Sequence, residues 1–455
     1  MNFSISNYLN RYTDASTLAF YRLAFGFMML FSLVRFACYG WIDKFYIQPQ
    51  FHFTYYGLGW VKPIGNYTYL LFGICAIASL FMAIGYKYRL SAIVFFLSFS
   101  YIEFMDKTTY LNHYYFITVI GFVLIFLPAN AYFSVDAYRN PKQAFEKIPA
   151  WTVDILKLLL AIVYFYAGLA KLNSDWLIEA MPLKIWLPNN SELPVIGWLL
   201  NQNWVHYAFS WTGAVYDLTI VFLLLNKRTR IFGFCLVVIF HILTKILFPI
   251  GVFPYIMIVS SLIFFDSNFH KRCLWALARV TYINMEVFEN GKEKIQQFER
   301  FYNLKMATLT TFVVMQLLFP FRYLLYPDEL FWTEEGFRFS WRVMLMEKAG
   351  YTQFIVTDPA TKKTIHVKNS NFLTSFQEKQ MSFQPDFILE YAHILHDYYQ
   401  QTGIQDPEVR VESYVALNGR LSKLYIDPKI DLAKEHETFE HKTWILPFHQ
   451  DIKGF

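Results

Sequence analysis

Apolar residues in this chain come in long blocks, not in the one-face periodicity of soluble helices. Thr17–Tyr39 and Asn66–Gly85 each approach the roughly 20 residues that cross a bilayer. Nine such blocks can be delimited, near residues 17–39, 66–85, 89–105, 112–128, 151–170, 205–225, 231–248, 250–265 and 307–325. The block at 250–265 is short enough to be re-entrant. From about Tyr326 the pattern changes. Gln353–Asp358 and Thr364–Lys368 read as strands around Pro359-Ala360-Thr361. Glu408–Leu417 and Leu421–Asp427 flank Asn418-Gly419, a strong hairpin signal. Pro385–Thr402 reads as an amphipathic helix with Phe387, Ile388, Tyr391, Ile394, Leu395 and Tyr398 on one face, opened by Pro385 and closed by Gly403. The pattern predicts a polytopic α-helical membrane domain of about eight to nine transmembrane helices over residues 1–325. A β-rich α+β extracytoplasmic domain over residues 326–455 follows it.

Charge orients these elements. With the N-terminus in the cytoplasm, the cytoplasmic loops carry Lys87 and Arg89; Arg139, Lys142 and Lys147; Lys227, Arg228 and Arg230; and a last group from Lys271 and Arg272 through Arg279, Lys292, Lys294 and Arg300 to Lys305. The external loops carry far fewer cations: Lys44, Lys62, Lys107, Lys171 and Lys184. This is the positive-inside asymmetry, and an odd number of spans places the C-terminal part outside. Two external stretches, Gly40–Gly65 and Leu172–Trp204, are rich in aromatic residues and read as interfacial segments over the membrane mouth, either a plain aromatic belt or a lid over a lipophilic substrate.

Composition narrows the class. Of 455 residues, 55% are hydrophobic and only 16% charged, below the roughly 25% of soluble domains. The net charge of +5 falls between the apolar blocks, which argues against nucleic-acid binding. Cys38, Cys75, Cys235 and Cys273 show no metal spacing and no disulfide framework, and read as packing residues. The polar residues Met1–Ser16 lead straight into a full-length span, so no cleavable signal peptide is expected.

Ionisable residues inside apolar blocks are costly and face a bundle interior or cavity. Here they are Arg22; Glu103, Asp106, Lys107, Asn112 and His113 where the third block meets the fourth; Lys171 at the end of the fifth; Asp217 in the sixth; and His241 and Lys245, one turn apart, in the seventh. Taken singly, an end-of-helix lysine is a snorkelling anchor and a lone histidine a satisfied packing group. Together, Asn112, His113, Lys171 and His241 fall at the outer ends of four spans, where one pocket would hold them all.

Six segments then show a resemblance. Asp106-Lys107-Thr108-Thr109-Tyr110-Leu111-Asn112-His113 is similar to a loop of the vitamin K-dependent γ-glutamyl carboxylase family, whose membrane part is of the HTTM type. Ala129-Asn130-Ala131-Tyr132-Phe133-Ser134-Val135-Asp136 and the run Val163–Trp176 resemble two further family segments. So do Phe240-His241 followed by Phe248–Tyr255, then Gly336-Phe337-Arg338-Phe339-Ser340-Trp341, and finally Ile426–Leu432. The likeness runs in order along nearly the whole chain.

The resemblance implies an enzyme that oxidises vitamin K hydroquinone (reduced phylloquinone or menaquinone) to its epoxide with O2. That oxidation is coupled to addition of CO2 at the γ-carbon of a glutamate in a protein or peptide substrate, at the lipid bilayer and without a metal. Lys171 matches the family's catalytic base. Asn112 and His113 match residues at the quinol head group, with His241, Tyr164 and Asp106 as further quinol-side positions. Phe337, Ser340, Trp341 and Arg342 fall in the glutamate-binding segment. A glutamate γ-C–H is far too weak an acid for any side chain, whose reference pKa values stop near ~14; quinol oxidation must supply the base. Lys171 starts the process as a free amine, a form favoured by apolar neighbours such as Phe165, Leu169 and Leu172, and an aromatic roof keeps water away. The N-in topology puts the site and C-terminal domain outside the cytoplasm, which a bacterial plasma membrane or an endoplasmic reticulum would both satisfy; the lack of disulfide cysteines leans toward a bacterial inner membrane. There are departures: Ala170 replaces the first lysine of the family's pair, Phe337 a tyrosine, Arg342 an aspartate and Met346 a histidine. Because three of the four touch the glutamate segment, quinol oxidation on another acceptor, and a transporter or receptor on the same fold, stand as alternatives.

Overall fold

A computed structural model describes residues 5–289 and 301–454. Lys292, Lys294 and Arg300 lie outside the described residues. A helix forms in each of the nine apolar blocks: α1 (Ser16–Cys38), α2 (Tyr67–Ile84), α3 (Tyr88–Phe104), α4 (Asn112–Phe126), α5 (Trp151–Leu169), α6 (Asn203–Leu225), α7 (Arg230–Leu247), α8 (Phe253–Ser261) and, after α9 (Ser267–Thr281), α10 (Tyr302–Leu318). Six of these, counting α10 with its 3-10 extension to Leu325, are long and apolar enough to cross a membrane; α3, α4 and α8 are shorter. Helix is the form such blocks must take, because lipid offers no partner to an open backbone. The polar segment 267–281, read from sequence only as part of a basic loop, is the amphipathic α9, which packs on α1.

Consecutive helices are neighbours. α1 to α4 pack in sequence, α5 to α8 pack in sequence, and α8 returns to α1 to close the bundle. The α5–α6 contact is tight at Gly168, where a Cβ would stand 2.8 Å from Leu218. That approach sets the level at which the outer ends of α5 and α6 face each other. At the opposite end, Arg22 is fully buried and donates to the carbonyls of Ala83, Ala129 and Phe133. Asp136 accepts from the Lys87 and Tyr88 amides at 2.8 and 2.9 Å. The segment Ala129–Asp136 is thus a clamp for helix ends, and Arg22 is one of its parts. Only Cys75 of the four cysteines is buried; Cys38 and Cys235 are exposed, which corrects the reading of the cysteines as packing residues.

After Leu325 the chain builds an antiparallel sheet of order β4-β3-β5-β6, with β3 Lys348–Thr357, β4 Thr364–His366, β5 Glu408–Leu417 and β6 Lys423–Leu424. The two earlier strands, β1 (Tyr12–Asp14) and β2 (Lys147–Pro149), pair with each other beside the bundle. β3 and β5 pair over ten residues, with buried Phe354 opposite buried Val411. Asn418 and Gly419 adopt left-handed φ of 48° and 75° at the β5–β6 turn, the conformation that made this dipeptide a hairpin signal. Between the strands lie α11 (Ser375–Met381), capped by Thr374 and Gln377, and α12 (Pro385–Gln401). α12 buries Phe387, Ile388, Tyr391 and Leu395 against the sheet, while Tyr398 is largely exposed.

This unit docks on the connectors at one end of the bundle. Asp175 accepts from Arg420 Nη1 and Nη2 at 2.6 and 2.7 Å and from Asn418 Nδ2 at 2.7 Å. Glu390 accepts from the amide and hydroxyl of Thr54, both at 2.7 Å. Gln377 donates to the Phe51 carbonyl. The aromatic connectors are therefore held between bundle and sheet, not left loose over the membrane.

Candidate active site

Two adjoining cavities lie where the sheet unit meets the bundle. The sequence reading expected one pocket with Asn112, His113, Lys171 and His241; the structure separates them into two pairs. The smaller cavity, about 90 Å³, is walled almost wholly by apolar groups and holds Lys171, Asp217, Tyr164 and His241. The larger, about 560 Å³, holds Asn112 and His113. Ile250, Phe253, Val343 and Met344 line both and form the partition. The Phe253 ring lies 5.8 Å from that of His113 and 5.5 Å from that of His241, so it stands between the two histidines.

In the smaller cavity Lys171 Nζ donates to Asp217 Oδ2 at 2.8 Å and to the Ala167 carbonyl at 3.1 Å. It also sits 5.3 Å over the Trp176 ring. Both side chains are buried. Opposite them Gly213 leaves room: a Cβ there would come within 4.0 Å of Lys171 Cε. His241 Nε2 and the Tyr164 hydroxyl are 3.1 Å apart, and Tyr164 also approaches the Tyr216 hydroxyl at 3.5 Å. His241 Nδ1 is buried without a partner. An amine–carboxylate pair beside a phenol–imidazole pair, in apolar walls, is a proton-handling arrangement suited to a lipophilic guest that carries exchangeable hydroxyls. Lys245, one turn from His241, lines neither cavity.

The larger cavity is built between α4 and the segment 337–346. Asn112 accepts from the Tyr110 hydroxyl at 3.1 Å and donates to the Arg342 carbonyl at 2.9 Å. The Tyr110 hydroxyl in turn accepts from the Phe339 amide. Trp341 stacks on Tyr115 with ring centroids 4.7 Å apart. These contacts hold a segment in which Phe339, Trp341 and Met344 all have left-handed φ, near 59°, 60° and 53°. Such strain in non-glycine residues persists only where the surroundings over-determine it. His113 Nε2 is buried without a partner.

Of the four residues expected to grip glutamate, Phe337 and Arg342 line the larger cavity. Ser340 donates to the Phe337 carbonyl and Trp341 is packed on Tyr115, and neither lines it. Arg342 is 5% exposed, with Nε and Nη1 unpartnered and its guanidinium 4.5 Å over the Tyr323 ring. Burial pulls its pKa below the ordinary arginine value, and Tyr323 and Glu329 offset only part of that. Asp106, expected at the quinol, lines neither cavity. It accepts from Thr108 and pairs with His52 Nδ1 at 2.9 Å, shaping the turn before α4. Lys107 faces the larger cavity but is held by Asp386 at 2.8 Å and Glu390 at 3.3 Å, fastening the turn to α12.

Sequence reasoning noticed Asp217 but left it out of the site. The available signal was that an intramembrane carboxylate wants a cation, and Lys171 is the buried one on the adjoining helix. Arg35, at the outer end of α1 and in the wall of the larger cavity, passed unnoticed. The aromatic connectors contribute to both chambers: Trp41 and Phe45 to the larger, Trp176 and Trp186 to the smaller. Trp60, Trp198 and Trp204 are instead exposed, in belt fashion.

No solved structure matches this chain. Residues 10–269 match the family model of the HTTM domain. Residues 301–451 match that of the lumenal domain of vitamin K-dependent gamma-carboxylase. With a buried lysine in an apolar cavity under a docked mixed α/β unit, and these two matches side by side, the chain belongs to the vitamin K-dependent γ-carboxylase family.

Proposed function

We propose that this protein oxidises vitamin K hydroquinone to the epoxide with O2 and uses that oxidation to add CO2 at the γ-carbon of a glutamate in a protein or peptide substrate. The observation that carries the reading is Lys171, itself buried in an apolar cavity with Asp217 at 2.8 Å. The balance is one quinol, one O2, one CO2 and one glutamyl γ-C–H giving one epoxide, one water and one γ-carboxyglutamyl side chain with its acidic proton. When bound, the quinol supplies the reducing power that makes a base stronger than any side chain.

What remains for the chain's own residues is proton handling, orientation and exclusion of water. Lys171 takes a quinol proton, and Asp217 holds the resulting ammonium. Tyr164 and His241 offer a hydroxyl and an imidazole to the ring oxygens. The smaller cavity is below the roughly 300–1,000 Å³ of small-molecule sites and the larger is within it. A ring-sized guest beside Lys171 therefore requires the Val343–Met344 wall to yield toward the larger chamber. Arg342 would grip the glutamate carboxylate there. The loop charges support an inside N-terminus with the site and C-terminal unit outside, and we read the membrane, crossed eight or nine times, as a bacterial inner membrane.

A second reading, quinol oxidation onto another acceptor, is favoured by one observation: Ser340 and Trp341 of the glutamate segment do not face the chamber. Incorporation of labelled CO2 into a short glutamate-containing peptide decides between them. The assay uses the purified protein in detergent with reduced vitamin K, with epoxide measured in the same tube and Lys171→Ala as control. Label and epoxide together, both lost in the variant, support the coupled reaction. Epoxide alone leaves the second reading, and neither product from folded protein sinks both.

A further inference from the structure

Four cations line the larger cavity: Arg35, Lys107, Arg338 and Arg342. Two are already neutralised. Lys107 is held by Asp386 and Glu390, and Arg338 by Asp386 at 2.6 Å and by Gln384. Glu334, the acidic residue of the wall, is taken by Lys348 at 2.8 Å. Arg35 and Arg342 form no ion pair among the described residues, and neither is compensated by the wall.

Arg342 is 5% exposed, and two of its N–H groups, Nε and Nη1, are buried without an acceptor, so its charge-assisted donors stand open to a carboxylate. Arg35 ends an apolar helix, where an arginine ordinarily snorkels to water. Arg35 is half-buried, and its Nε is buried and unpartnered in the cavity wall, with the guanidinium 5.1 Å over the Trp41 ring and 5.4 Å over that of Tyr39. A buried N–H without an acceptor is costly, and a charged one more so, unless a ligand supplies the acceptor. One carboxylate saturates one guanidinium edge. The chamber is built for a second.

We propose that the larger cavity holds two carboxylates at once, one on Arg342 and one on Arg35, and so binds a γ-carboxyglutamyl side chain more tightly than a glutamyl one. This deepens the carboxylase reading and takes the identity of its ligand from it. In that reaction the γ-C–H bond breaks, its proton goes to the base generated by quinol oxidation, and the freed electron pair forms a bond to the carbon of CO2. The side chain passes from one negative charge to two against the same two cations. Arg35 is then the group that meets the carboxylate the reaction creates.

The test is equilibrium binding without turnover. The full chain in detergent, with no quinol present, is titrated by calorimetry with two short peptides that differ in one residue, glutamate or γ-carboxyglutamate. The expected result is about tenfold tighter binding of the γ-carboxyglutamate peptide, the effect of one added charge-assisted contact. Arg35→Gln brings the ratio close to one, Arg35→Lys keeps part of it, and Arg342→Gln weakens both peptides. Equal affinities in the unaltered protein, binding of neither peptide, or a preference unchanged by Arg35→Gln overturns the proposal. A protein that keeps the preference but fails to carboxylate would sink the proposed reaction and leave this site standing. Carboxylation without the preference would do the reverse.

Discussion

Lys171 Nζ lies 2.8 Å from Asp217 Oδ2, across the α5–α6 contact, and both side chains are buried in a cavity whose other walls are nearly all apolar. A base reading for Lys171 from sequence rests on apolar neighbours alone. The structure adds a counter-ion at hydrogen-bond distance, so a proton taken up by the lysine meets an anion already in place. The functional unit is the pair.

Removing one member of a buried pair leaves an uncompensated charge and costs about 3–5 kcal/mol, whereas replacing both by apolar groups is often neutral. Lys171→Ala should lower epoxide formation by about 10²–10⁴-fold, the range for loss of a positioned general base. Asp217→Leu alone should lower the thermal midpoint in detergent. The double variant Lys171→Met/Asp217→Leu should regain the midpoint and stay inactive. A double variant as unstable as Asp217→Leu would contradict the pairing.

Gly213 faces Lys171 and Trp176 across the smaller cavity, where a Cβ would be in ordinary contact. Gly213→Ala should be tolerated. Gly213→Leu should fill the space and raise the quinol KM or abolish turnover while the thermal midpoint changes by only a few degrees. Unaltered quinol kinetics in Gly213→Leu would place the quinol elsewhere.

Asn112 acts through Arg342 by donating to its carbonyl at 2.9 Å. Asn112→Ala removes that part-buried hydrogen bond, worth about 1 kcal/mol, from a segment strained at Phe339, Trp341 and Met344, and takes away the acceptor of the Tyr110 hydroxyl as well. The peptide KM should rise about five- to tenfold with the quinol KM unchanged. Equal changes in both would show that Asn112 serves the quinol directly.

Docking of the C-terminal unit depends on Asp386. Burial opposes its charge, but Arg338 and Lys107 prevail and hold its carboxyl well below the usual aspartate range. A depressed folded-state pKa stabilises above the unfolded value, about 4, and that stability is lost as the pH falls below it. The thermal midpoint should therefore fall on acidification from pH 5 to pH 3, and Asp386→Asn should start lower and show a shallower fall. Protease accessibility of the connectors near Thr54 and Lys107, measured at pH 7 and pH 3, reports the same loosening. An Asp386→Asn protein with the pH dependence of the parent would remove Asp386 from this account.

The helices of the bundle and β5 were legible in the sequence, whereas β3 starts at Lys348, five residues before the expected Gln353, and β6 keeps only Lys423–Leu424 of the expected Leu421–Asp427. An apolar run of some twenty residues in lipid has no way to satisfy its backbone except as helix, and β5 has the predicted bounds Glu408–Leu417 because Asn418-Gly419 supplies the left-handed turn. Lys171, His113 and His241 were legible as polar residues that apolar surroundings must explain. α11 was not, since seven residues carry too little periodicity and its capping box was overlooked. What only the tertiary structure decided is partnership. Hydropathy says that a buried charge needs a partner but not which one. The close approach at Gly168 brings Asp217 to Lys171, the docked α12 claims Lys107, His52 and Thr108 draw Asp106 away from the quinol side, and the strained segment with Val343 and Met344 divides one expected pocket into two. Each of these joins residues far apart in the chain, and the geometry that selects them is set by helix packing and domain docking, which no local pattern encodes.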